Sequence, residues 1–78
     1  MSISLQPVRI GTGYDEDGLL VLADDYLVAV LVRLTDRHGA EAGKWFLETG
    51  YGRLGGRQQP IFADLDAAQG YIADRLQN

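Results

Sequence analysis

The chain has 78 residues, 46% of them hydrophobic, with no cysteine and a formal net charge of −4. That length corresponds to one small domain, and the apolar share argues against disorder. Without cysteine there are no disulfides and no thiolate zinc sites, so stability has to come from apolar packing or from a partner.

Residues 2–10 alternate weakly. Ile3 and Leu5 face one way, Pro7 interrupts, and Val8 and Ile10 resume. Proline cannot donate to a sheet ladder, so this stretch is expected to be an edge strand or a tail. Residues 11–18 (GTGYDEDG) are dense in turn formers and read as a loop. Residues 19–23 and 26–35, rich in valine and separated by Asp24-Asp25, read as a hairpin with a two-residue turn. The rival is one helix over residues 19–34, although its charged positions do not gather on a stripe and valine is a poor helix former.

Residues 36–43 (DRHGAEAG) form a polar connector, 44–51 (KWFLETGY) a strand, and 52–60 (GRLGGRQQP) a flexible loop. Asp64 is placed to cap a helix over residues 65–76, with Asp66 in its first turn. Leu65, Ala68, Ile72 and Leu76 share one face of that helix. Gly70 inside it is expected to permit close approach to the sheet. The predicted fold is α+β, a three- or four-stranded antiparallel meander with one C-terminal helix packed on one face.

A two-residue turn sets Ala23 opposite Tyr26, Val21 opposite Val28 and Leu19 opposite Val30. This face continues through Val32 and Leu34 and is predicted to lie under the helix with Trp45 and Leu47. The opposite face then carries Leu20, Leu22, Leu27, Ala29, Leu31 and Phe46, with no obvious cover. Such a patch is larger than soluble monomers usually tolerate, and it is the candidate partner interface. Its expected occupant is a second copy, the folded-back segment around Ile3 and Leu5, or another protein.

Few residues of the sequence are suited to chemistry. The only serines are Ser2 and Ser4, and the one histidine, His38, lies in a glycine-containing connector, so no nucleophile–base pair is expected. Asp15-Glu16-Asp17-Gly18 begins like a calcium loop but lacks the later oxygen ligands. Asp24–Asp25 fits a turn and Asp64–Asp66 fits helix capping. Neither a metal site, a cofactor nor a catalytic residue is expected. Residues 50–57 (GYGRLGGR) are the most suggestive stretch, because glycine-rich loops expose amides to anions and Arg53 and Arg57 are suited to a phosphate. They lack the lysine and hydroxyl of a P-loop.

Charge is unevenly spread. Residues 14–25 hold Asp15, Glu16, Asp17, Asp24 and Asp25 and no base, whereas 33–57 hold Arg33, Arg37, Lys44, Arg53 and Arg57 against Asp36, Glu41 and Glu48. An acidic chain is generally repelled by phosphate backbones, which disfavours nucleic acid as a partner. No leader pattern opens the sequence, and residues 19–34 are too short and too charged to span a bilayer. A cytoplasmic location without membrane contact is expected.

Residues 18–34, then Lys44-Trp45-Phe46-Leu47-Glu48, then residues 61–68 (IFADLDAA), resemble small uncharacterised bacterial domains of strand–strand–strand–helix plan, a likeness that implies no known activity. The same element order is similar to the arm-type DNA-binding domain of phage-type integrases, in which a three-stranded sheet precedes a helix. That resemblance implies a sheet face entering a DNA groove. The expected role is a non-enzymatic protein-interaction or self-association module. The alternative is a nucleic-acid-binding domain using Arg33, Arg37, Lys44, Arg53 and Arg57.

Overall fold

Alternating apolar residues and a two-residue turn give the hairpin at the centre of the sheet. In the computed structural model, which describes residues 2–56 and 59–77, β2 (Asp17–Ala23) and β3 (Tyr26–Arg33) are antiparallel neighbours. Asp24 and Asp25 turn the chain with φ of 49° and 73°, the left-handed pair that matches the twist of a hairpin. The rival single helix over residues 19–34 is therefore wrong.

The sheet is a meander in the order β1-β2-β3-β4-β5. The outer members are β1 (Ile3–Arg9), β4 (Trp45–Gly50) and β5 (Ile61–Phe62), and the helix α1 spans Leu65–Gln77. The strand count is five rather than three or four because the short run Ile61–Phe62 pairs with Trp45 and Phe46. Two 3-10 turns, Asp36–Glu41 and Gly52–Leu54, occupy the expected connectors. The second is not a plain loop, since it drives Leu54 into the core at 5% exposure. A Cβ on Gly50 would lie 2.2 Å from the Leu54 carbonyl oxygen, so only glycine allows this turn to fold back on β4.

The expected register holds for one pair and then fails. Ala23 lies opposite Tyr26, but Val21 pairs with Ala29 and Leu19 with Leu31. Val28 is the extra residue of a β-bulge between these pairs, and one extra residue moves every later side chain of the strand to the other face. Ala29 and Leu31 are thus fully buried, in one cluster with Leu19, Val21, Leu47, Leu54, Phe62, Ala68 and Ile72. A second bulge between Val30 and Leu31, with Glu48 as its extra residue, sets Leu47 opposite Leu31 and keeps it in the same core.

The helix begins as the sequence predicts. Asp64 Oδ1 accepts the Ala67 amide at 2.8 Å, and Ala68 and Ile72 face the core. Gly70 is exposed with open space around it, so it permits no close approach.

β1 forms the long free edge, and its residues follow a parity. Ser2 accepts the Asp24 amide and Ile10 donates to the Glu16 carbonyl, so the even-numbered backbone groups turn toward β2 and the odd-numbered ones turn outward. Pro7 is odd, and its missing N–H falls on the outer side, where no ladder bond is lost. Ile3 and Leu5 pair with Ala23 and Val21 and pack against the core on the helix side. They do not fold over the opposite face.

Candidate functional site

Three places on the molecule bear on function. The first is the sheet face opposite the helix. The bulge replaces the expected set: Ala29 and Leu31 leave it for the core, and Val30, directly across from Leu20, joins it. Leu20, Leu22, Val30 and Phe46 are partly exposed there, with Leu27 and Ile61 at the margin at 41% and 43% exposure. One end of this face is closed. Ile10 sits over Gly18, where a Cβ would come within 2.4 Å of its Cδ1, and Val32 and Leu34 are buried.

The second place is a cleft of about 470 Å³ on the helix side, lined by Pro7, Val8, Arg9, Asp17, Gly18, Leu19, Arg33 and Trp45. The register explains its shape. Pro7, Leu19, Leu31 and Leu47 form one row across β1 to β4. The next row toward the sheet end pairs Arg9 with Asp17 and Arg33 with Trp45. Arg9 is held by Glu16 at 3.0 Å and lies 3.6 Å from Asp17. Arg33 is exposed and has no ion pair or hydrogen bond to its side chain among the described residues. Trp45, expected to lie under the helix, packs against the core but is only partly buried, and it forms one wall of the cleft.

The third is a polar clasp between the two loops at the same end of the sheet. Asp15, at φ 42°, is buried to 8% exposure. Its Oδ1 accepts the Thr35 hydroxyl at 2.6 Å and the Thr35 amide at 2.9 Å, and its Oδ2 lies 2.5 Å from His38 Nε2. The Thr35 hydroxyl, followed by His38, holds the Asp15 carboxyl down to about 2 although burial opposes the shift. Arg37 completes the clasp, 3.9 Å from Oδ2 with its guanidinium 4.0 Å from the Tyr14 ring centre. A carboxylate orienting a histidine supplies two of the three members of a catalytic triad, but the hydroxyl at hand, that of Thr35, is spent on the carboxylate. The cluster ties loops together. The sequence carried no signal for it, because Asp15 and His38 are 23 residues apart in two unrelated polar stretches.

The remaining basic residues are dispersed. Lys44 pairs with Glu41 at 3.3 Å, and Arg53 donates to the Leu76 carbonyl in the last turn of α1 at 3.5 Å, where a cation suits the helix dipole. Arg53 thus braces the helix end, and Arg57 lies outside the described residues. Among the described residues no helix is long and apolar enough to cross a membrane, and no group of three potential metal ligands occurs. No protein-family model, no curated protein and no solved structure matches the chain.

Proposed function

We propose that this chain is a non-enzymatic interaction module that associates with a second copy of itself through the face opposite the helix. The supporting observation is the contiguity of Leu20, Leu22, Val30 and Phe46 across β2, β3 and β4 on a face that no described element covers. Two identical faces meeting about a twofold axis bury the same patch twice, which suits a single self-complementary surface. The gain also supplements the small core of a short, cysteine-free chain. The non-enzymatic reading is supported by the Asp15 carboxylate, whose two oxygens are committed to Thr35 and His38 in joining two loops.

Sedimentation equilibrium tests this reading. The wild type is expected to be dimeric at high micromolar concentration, and Leu20→Asp or Leu22→Asp to return it to monomer with its circular dichroism unchanged. A monomeric wild type removes the proposal. A dimer indifferent to both substitutions moves the interface elsewhere.

A further inference from the structure

The cleft on the helix side of the sheet is independent of the face proposed for self-association, and its chemistry is more specific. Its floor is apolar, made of Leu19 and Pro7, and Trp45 stands at one side. Two cations and one acid enter its lining, and they are not equivalent. Arg9 is neutralised by Glu16 and Asp17, whereas Arg33 has no acidic partner within ion-pair distance among the described residues. The cleft therefore offers one guanidinium without an ion-pair contact among the described residues beside an apolar trough, although Asp17 lies across from it on the neighbouring strand.

The trough has a direction. Arg33 is on β3, Leu19 on β2 and Pro7 on β1, so a line from the guanidinium over the floor crosses two strand spacings. That is roughly 10 Å at the usual spacing. A guanidinium fork matches a carboxylate in two parallel hydrogen bonds. A doubly charged phosphate monoester is disfavoured, because Asp17 lines the same cleft and, among the described residues, Arg33 is the one lining cation without an ion pair.

We propose that this cleft binds a free medium-chain monocarboxylic acid, with its carboxylate on Arg33 and its acyl chain laid over Leu19 toward Pro7. The cleft is open along its length, so the chain is covered on one side only and binding is weak.

Trp45 is the only tryptophan of the sequence and lines the cleft, so its emission reports on the site directly. The experiment titrates the full chain with octanoate, octanol and octylammonium at pH 7, following Trp45 emission and backbone amide shifts by NMR. Octanoate should bind most tightly and octylammonium least. Arg33→Gln should weaken octanoate about two- to fivefold, the range of an exposed ion pair, and bring it level with octanol. Arg33→Glu should reverse the order in favour of octylammonium, and Arg33→Lys should preserve the wild-type order. Arg33 is exposed, so these variants are expected to fold. The largest amide shifts should fall on Leu19, Arg33 and Trp45. The proposal is overturned if octanoate leaves the emission unchanged into the millimolar range, or if octylammonium binds as well as octanoate. It is equally overturned if Arg33→Glu leaves the order unaltered, or if the shifts gather on Leu20, Leu22 and Phe46.

Discussion

The bulge at Val28 decides which half of β3 is core, and truncating Leu31 measures its effect. Leu31 is fully buried. Replacing it by alanine removes three carbons, a transfer loss of about 2.4 kcal/mol at ~0.8 kcal/mol per methylene. An unfilled cavity adds to this, giving a total of roughly 3–4 kcal/mol. A domain of this length has on the order of 4–12 kcal/mol to lose. Urea unfolding followed by Trp45 emission is the assay. With a slope near 1 kcal/mol/M, typical of small domains, the midpoint should fall by about 3 M or the protein should be unfolded at the outset. Val30→Ala is the control. Val30 is partly exposed on the opposite face, so in the monomer, at concentrations below the self-association range, its truncation should cost under about 1 kcal/mol. If Leu31→Ala is the milder of the two, the register and the core built on it are wrong.

Gly50→Ala and Gly70→Ala should act in opposite directions in thermal melts. The first drives a Cβ into the Leu54 carbonyl and should cost about 1–3 kcal/mol, whereas the second, in open space on α1, should gain about 0.5–1 kcal/mol. Asp64→Ala should cost about 0.5–2 kcal/mol by removing the acceptor of the Ala67 amide, and chemical denaturation would show no loss if the cap were idle. The Asp15 carboxyl titrates lower in the folded chain than the ordinary 3.8, at about 2, so its contribution is complete above the unfolded value and is lost as pH falls through the folded one. The stability gap between wild type and Thr35→Val should therefore be open at pH 7 and narrow as pH falls from about 4 to about 2. A gap that stays constant across that window would show that Asp15 is not the group Thr35 serves.

Elements whose physics is local were legible in the sequence. Asp64 announced the helix because capping needs only neighbours, and Asp24-Asp25 announced the turn because aspartate tolerates left-handed backbone. The open apolar face was legible in kind but not in membership. A bulge is a choice between two pairings of the same valine-rich run, and nothing within residues 26–33 marks Val28 as the residue left over. Ala29 and Leu31 were thus assigned to the wrong side, and Val30 and Val32 with them, whereas Val28 packs against the core as expected. The core position of Leu54 was hidden for a different reason. Glycine-rich sequence reads as loop, and only the close approach at Gly50 shows that the loop folds back. The cleft needed the register of four strands before its residues became neighbours.

Pro7 also governs how the sheet meets other strands. An incoming chain alongside β1 would find amide donors at Ile3, Leu5 and Arg9 but a gap at the middle of the row, and the far edge, β5, offers only two residues. Sideways growth into a continuous ribbon is thereby interrupted at both margins, a protection that many sheets obtain from lysines or covering loops. Under the self-association proposed above, apolar contact between molecules is thereby left to the face opposite the helix rather than to the sheet margins.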